Sequence, residues 1–243
     1  CVHCRSAPAV DVRHLCIACS ASARIRRMHR PDYCLHCHRR RGSRPRGLCR
    51  GCYNDKTVRK RYGPIGVVHV DAHADVNDTM GGEKIAHGTP FRRAVEEGLI
   101  DCQRVVQIGL RGTGYHADDF DWCRQQGFRV VQAEECWHKS LAPLMKEVVE
   151  RVAGPSGDAP VYLSFDIDGL DPSFAPGTGT PEIGGLTVQQ GLEIIRGLRG
   201  LNLVGADIVE ISPPYDPQGT TALVGANLAY EMLCVMPGVA YRT

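Results

Sequence analysis

Carboxylates gather at two points in this chain, each directly behind an apolar run. Asp71-Ala72-His73-Ala74-Asp75 follows Val67-Val68-His69-Val70, and Asp166-Ile167-Asp168-Gly169-Leu170-Asp171-Pro172 follows Val161-Tyr162-Leu163-Ser164-Phe165. Runs of this length, rich in Val, Leu, Tyr and Phe, read as strands of a buried parallel sheet. In open parallel sheets ligands sit beyond the carboxyl ends of the strands. Four or five carboxylates and one imidazole then converge on one place. Left unpaired they would repel one another and raise each other's pKa. A divalent cation removes that repulsion, and two fit this many carboxylates better than one. Alternate residues point the same way, so Asp71, His73 and Asp75 share one side, as do Asp166 and Asp168. Oxygen donors with an imidazole and no thiolate suit Mn²⁺. A bridging carboxylate from each strand would hold two ions roughly 3.5–4 Å apart, and a water between them would ionise near neutral pH and become a nucleophile. A lone Asp-x-Asp is most often a loop or a helix cap. Two of them, each behind an apolar strand, reverse that reading.

The elements that must position these groups alternate. Strands are expected at 65–70, 105–110, 128–132, 161–167 and 203–211. Apolar residues at helical spacing predict helices over Phe91–Leu99, Leu141–Val152, Thr187–Leu198 and Leu223–Val235, with Thr187 as an N-cap and the last helix closing the sheet. Strand–helix–strand repetition implies an α/β fold, a parallel sheet sandwiched by helices. The Gly- and Pro-rich loop 172–186, with Thr178 and Thr180 between its glycines, reads as a wall of the site; a plain surface loop is the alternative. Gly112-Thr113-Gly114-Tyr115 follows another strand and is expected at the same rim. No lysine follows it, so it is not a phosphate loop.

Residues 65–243, about three quarters of the chain, resemble the ureohydrolases, the family of arginase, agmatinase and guanidinobutyrase. The resemblance rests on the two Asp blocks above, on Ala175-Pro176-Gly177-Thr178-Gly179-Thr180-Pro181-Glu182, and on Glu210-Ile211-Ser212-Pro213-Pro214-Tyr215-Asp216; in detail it favours the agmatinase and guanidinobutyrase branch. It implies hydrolysis of a guanidino compound, agmatine or 4-guanidinobutyrate, to urea and a primary amine by attack of a metal-bridging hydroxide at a binuclear Mn²⁺ centre. By position, Asp71 and Asp166 would bridge the ions, His73 and Asp168 would complete one of them, and Asp75 would bind the other. His87 matches the proton shuttle, Glu210 the carboxylate that holds the substrate guanidinium, and Asn77 lies near the position that reads the far end of the substrate. Read from the residues alone, His87 also suits a helix cap and Glu210 a surface carboxylate, while His69 is expected to point into the packing or away from the site. A planar, permanently charged guanidinium pairs bidentately with a carboxylate, and a histidine has the pKa to protonate a departing amine. The resemblance also implies a homo-oligomer.

The family's earlier half carries a Gly-Gly-Asp-His segment that supplies one metal's histidine, and residues 1–64 contain no such segment. The expected fold is therefore the ureohydrolase fold lacking its N-terminal half, with the Gly63-Pro64 step as the seam, one metal site lacking its usual histidine, and a sheet edge left uncovered.

Residues 1–62 read as a separate cysteine-rich module. Cys1-x2-Cys4-x11-Cys16-x2-Cys19 recurs as Cys34-x2-Cys37-x11-Cys49-x2-Cys52, a period of 33 residues. Eight thiolates in paired knuckles suffice for two structural Zn²⁺ sites, whether each repeat closes its own or the pairs interleave; a disulfide framework is the alternative. The segment has few large apolar residues, so its folding is expected to depend on the metal. Residues 1–62 hold 16 Lys and Arg against three Asp, a net +13, and the remainder holds 13 against 24 Asp and Glu, a net −11. Arg24-Ile25-Arg26-Arg27 and Arg39-Arg40-Arg41 form a patch suited to phosphate backbones, hence to nucleic acid, or to electrostatic docking on the acidic part.

No apolar run reaches the roughly 18 residues that span a bilayer. Cys102, Cys123, Cys136 and Cys234 lack metal spacing and are expected to be reduced, partly buried packing residues, as in a cytoplasmic protein. Three functional readings follow: a working guanidino hydrolase; a catalytically impaired ureohydrolase fragment fused to a zinc module that binds nucleic acid or a protein partner; or two parts with no shared function.

Overall fold

The computed structural model describes residues 61–112 and 119–239. Arg61 aside, these belong to the compact unit Tyr62–Thr243. The cysteine-rich repeats of residues 1–52 and the Thr113–Tyr115 part of the expected rim lie outside the described residues.

Five parallel strands form one sheet in the order β3-β2-β1-β4-β5: β1 Ile65–Val70, β2 Ile100–Leu110, β3 Arg129–Gln132, β4 Val161–Asp166 and β5 Leu203–Val209. The chain winds from β1 outward through β2 to β3, then returns to place β4 on the other side of β1. The direction of winding reverses between β1 and β4, and the crevice at such a reversal is where parallel sheets bind ligands. Register brings the two aspartate motifs together: Val70 pairs with Phe165, so the next residues along, Asp71 and Asp166, emerge side by side.

Helices cover both faces. On one, α3 (Ala142–Ala153), α4 (Val188–Gly197) and α5 (Thr220–Val235) bury Val148, Val152, Ile194, Ile195, Leu228 and Met232 against Val68, Val70, Leu163 and Phe165. On the other, α1 (Pro90–Glu96) and α2 (Asp119–Gln126) pack Phe91, Val95 and Cys123 against Val67, Val105 and Val130. Alternation along β1 thus feeds both cores, as the period of two in a strand requires. This is the expected α/β architecture, and the adjustments to it have local causes. β2 begins five residues before 105, bulging against β1 between Ile65 and Val67. Strand β4 ends at Asp166, whose side chain caps a short turn, Ile167–Gly169. Strand β5 ends at Val209 because Glu210 turns left-handed (φ 63°). Thr187 caps α4 as expected, accepting from the Gln190 amide while the Gln190 side chain answers back. Helix α5 packs beside α4 over one face, leaving Leu223, Tyr230 and Leu233 exposed. Among the described residues β5 pairs only with β4, so its outer edge is open.

Cys123 and Cys136 are buried, and Cys102 and Cys234 half-buried. Burial pushes the Cys136 thiol up to about 11. No described helix is long and apolar enough to cross a membrane.

The sheet centre sets the stability of everything at its ends. Leu163 is fully buried in β4, so Leu163→Ala should cost about 2–5 kcal/mol in denaturant unfolding. A loss under about 1 kcal/mol would mean that this strand is not the packed centre of the fold.

Candidate metal centre

Asp71, Asp166 and Asp168 are buried at the ends of β1 and β4, at 1%, 4% and 1% exposure. Each carboxylate is fixed by backbone amides. The amide of His73 donates to Asp71 Oδ1 (2.6 Å), that of Ala72 to Asp168 Oδ1 (3.1 Å) and that of Asp168 to Asp166 Oδ1 (2.9 Å). The Ala72–Asp168 bond ties one motif to the other across the crevice. Half-buried His73 completes the group, with Nδ1 at 3.3 Å from Asp71 Oδ1 and 3.1 Å from Asp168 Oδ2. Gly112 makes this possible, because a Cβ there would lie 2.4 Å from the His73 ring.

Crowding decides where protons reside. Burial, together with the negative charges of Asp71 and Asp168, pushes Asp166 up to about 11. Burial and the charge of Asp71 also hold Asp75 well above the carboxylate range, with Asp168 and Glu210 adding to the effect. Burial opposes the charge on His73, but hydrogen bonds to Asp168 and Asp71 outweigh it and raise His73 to about 11. Burial would likewise raise Asp71, yet the neighbouring His69 and its hydrogen bond, with hydrogen bonds from the His73 side chain and amide, hold it below the usual range. The group therefore collects protons at neutral pH, the behaviour of a cation site that holds protons in place of metal.

Two sets of donor atoms lie within 4.8 Å of one another: Asp71, His73 and Asp168, and His69, Asp71 and Asp75. Their chemistry differs. The Gln107 amide group donates both to the carbonyl of Ala74 (2.8 Å) and to His69 Nδ1 (3.1 Å). A carbonyl only accepts, so the NH₂ end of Gln107 faces His69, and His69 Nδ1 must accept. Its proton then sits on Nε2, 2.8 Å from Asp71 Oδ2. His69 thus orients Asp71 as a donor and offers no free lone pair to a metal. Buried at 1% exposure with its ring 4.1 Å from that of Phe91, it points into the packing. Asp71, His73 and Asp168 suit a hard divalent ion, with oxygen donors and one imidazole nitrogen on a carboxylate pair; Asp166, buried at the end of the neighbouring strand, lies outside both donor sets.

The remaining candidates surround this group. Asp75 and Glu210, half-buried and exposed, both have left-handed backbones (φ 56° and 63°), a conformation costing non-glycine residues on the order of 1 kcal/mol. Among the described residues, two of the three such non-glycine residues lie here, which marks the site. A Cβ on Gly179 would come 3.8 Å from the Glu210 carboxylate, so loop 172–186 does run beside it. Asn77 is 8% exposed; its amide nitrogen donates to the carbonyl of Gly88 (3.1 Å), and its Oδ1 is buried without a partner. His87 is exposed on the segment before α1, and among the described residues no hydrogen bond or ion pair joins it to the carboxylates. Three further contributors join the group: Thr180 and Glu182 belong to the loop and block expected at the site, with no role assigned to them there, and Arg111 had no signal in the sequence. Thr180 donates to Asp168 Oδ2 (3.1 Å), Glu182 Oε1 lies 3.8 Å from His73 Nε2, and Arg111 spans the loop. All three depend on loop 172–186 folding back over the strand ends, which no local pattern specifies.

The guanidinobutyrase of Pseudomonas aeruginosa is 72% identical over 183 residues, covering 75% of this chain and 56% of that protein. The mitochondrial agmatinase of Gallus gallus is 65% identical over 180 residues, covering 74% of this chain and 52% of that protein. The chain thus spans about half the length of the curated relatives it matches. Among solved structures, the proclavaminate amidino hydrolase of Streptomyces clavuligerus superposes with a TM-score of 0.68 at 42% identity, covering 73% of this chain and 58% of that one. The family described as the Arginase family matches residues 54–234, beginning before the Gly63-Pro64 step expected as the seam. By the extent of that match and the identity of these relatives, the chain belongs to the Arginase family.

Proposed function

We propose that this chain carries the metal- and guanidinium-binding part of a hydrolase that splits a guanidino compound, agmatine or 4-guanidinobutyrate, into urea and a primary amine. The observation that carries the reading is the buried carboxylate group at the β1–β4 crevice, with a lone exposed carboxylate, Glu210, beside it. Asp71, His73, Asp166 and Asp168 would hold one Mn²⁺, and Asp75 with Asp71 and Asp166 would contribute to a second. Bound ions would supply Lewis acidity toward water and toward the substrate, the chemistry that the bridging-hydroxide expectation calls for. The protein's own groups do the rest. Glu210 accepts two N–H bonds from a planar guanidinium, with loop 172–186 running beside it at Gly179. Thr180 and His69 hold the Asp168 and Asp71 carboxylates in their orientations by donating to them. His87, reached by solvent, carries the proton that the leaving amine needs. The unpartnered Asn77 Oδ1 would accept from the ammonium at the far end of agmatine, whereas the carboxylate of 4-guanidinobutyrate would need a donor elsewhere. For residues 1–62 the proposal is a Zn²⁺ module that contacts phosphate backbones, supported by cysteine spacing and charge.

Urea release in the presence of Mn²⁺, from agmatine and from 4-guanidinobutyrate, tests the activity. Glu210→Gln should lower kcat/KM by about 10- to 100-fold through loss of the charge-assisted pair, with Mn²⁺ affinity unchanged. A Mn²⁺-loaded chain that releases no urea from either compound, or an unaltered kcat/KM in Glu210→Gln, would overturn the reading.

Metal binding is also linked to pH. His73, raised from 6.5 to about 11, adds stability to the metal-free chain below 6.5 that is lost as pH rises through about 11. Asp166, raised from 3.8 to about 11, acts in the same direction, since its ionised form is disfavoured in the fold. A divalent ion must displace these protons, so it binds more tightly as pH rises. Calorimetry in buffers of different ionisation enthalpy should show proton release on Mn²⁺ binding at about pH 7, and the thermal stabilisation by Mn²⁺ should grow with pH. Binding without proton release would contradict the account.

A further inference from the structure

We propose that Arg111 is the positioning residue of the carboxylate centre, and that the loop through Glu182 is held over His73 by its guanidinium. Arg111 is the first residue past β2, and its amide donates to the carbonyl of Ala72 (2.9 Å), within the first aspartate motif. Its side chain then crosses to the second motif. Nη2 donates to the carbonyls of Asp168 (2.8 Å), Leu170 (3.2 Å) and Glu182 (2.6 Å). Nη1 reaches those of Gly109 (3.0 Å) and Gly169 (3.3 Å), and Nε those of Glu182 (3.2 Å) and Ile183 (3.1 Å). One planar group thus joins the end of β2, the turn carrying Asp168 and the far arm of the loop. Asp168, Asp171 and Glu182 all act on it by charge, yet its N–H groups are spent on backbone oxygens. That is the pattern of a spacer that sets geometry.

The site is shaped to receive it. A Cβ on Gly185 would lie 2.5 Å from Arg111 Nη2, 2.5 Å from the Asp171 amide nitrogen and 2.7 Å from the Leu170 carbonyl carbon, so the loop approaches the guanidinium and the turn behind Asp168 only because that residue is glycine. Two consequences reach the centre. The carbonyl of Asp168 is fixed while its carboxylate faces His73 Nδ1 at 3.1 Å. The carbonyl of Glu182 is fixed while its carboxylate faces His73 Nε2 at 3.8 Å. With a cation on the Nδ1 side, Nε2 keeps the ring proton and Glu182 stands where its acceptor should be, the arrangement that orients a ligating imidazole. A lysine cannot reproduce this, because its three donors radiate from one point and cannot span six carbonyls.

The inference rests on the reading that these carboxylates hold a metal, and the test separates the two. Mn²⁺ affinity and the Mn²⁺ paramagnetic resonance spectrum are measured on the full chain and on its Arg111→Lys, Gly185→Ala and Glu182→Gln variants, alongside thermal unfolding. Arg111→Lys and Gly185→Ala should each weaken Mn²⁺ binding by about 10- to 100-fold and alter the line shape. Glu182→Gln should weaken binding in the same direction by less, with its unfolding temperature unchanged. A wild-type chain that binds no Mn²⁺ overturns both the metal reading and this one. A wild-type chain that binds Mn²⁺, with Arg111→Lys and Gly185→Ala within twofold of it, overturns the role of Arg111 alone, as does a lowered unfolding temperature with affinity and spectrum intact.

Discussion

The constraint on which this structure depends is the confinement of like charges at the turning point of a sheet. Register places Asp71 beside Asp166, and the helices over both faces exclude the water that would screen them. Three buried carboxylates within reach of one another cannot all stay ionised in such a place without a counter-cation. In the chain alone, protons on His73, Asp75 and Asp166 fill that need, and all three groups lie above their ordinary pKa values. A divalent ion answers the same need more completely. The cost of assembling the charges is met by the sheet, in which β1 is buried along its whole length and β4 buries Val161, Leu163, Phe165 and Asp166 on the other side of the crevice.

Around that group the protein places donors, none of which needs to touch a metal. His69 turns its proton to Asp71 because Gln107, fixed on the carbonyl of Ala74, leaves it no alternative. Thr180 donates to Asp168 from the loop, and the amides of Ala72, His73 and Asp168 donate from the strand ends. Arg111 fixes the distance between loop and strands. Each such donor favours one carboxylate orientation, so the site is held in shape before any ion arrives. Glycine is required where the parts meet most closely, at Gly112 against His73 and at Gly185 against Arg111.

How much of this the sequence discloses depends on whether the cause is local. Strands β1 and β4 were legible because unbroken apolar runs end abruptly in aspartates, and α4 because its cap and its apolar spacing agree. The first half of β2 was hidden, since Asp101, Gln103 and Arg104 interrupt its apolar pattern where the strand bulges. Helix α2 was hidden too, because Asp-Phe-Asp-Trp-Cys-Arg-Gln-Gln is polar and its few aromatics carry the packing. The aspartates of the centre could be named in advance, whereas the tautomer of His69 and the reach of Arg111 could not. Both are set by carbonyl oxygens, which every residue carries and no sequence pattern marks.

The most direct test of the account is anomalous diffraction at the manganese edge from crystals of this chain grown with Mn²⁺. The account predicts a peak between the ends of β1 and β4, coordinated by Asp71, His73, Asp166 and Asp168, with His73 bound through Nδ1 and His69 still donating to Asp71. Density that places the ion elsewhere, or an ion liganded by His69 in place of His73, would contradict it.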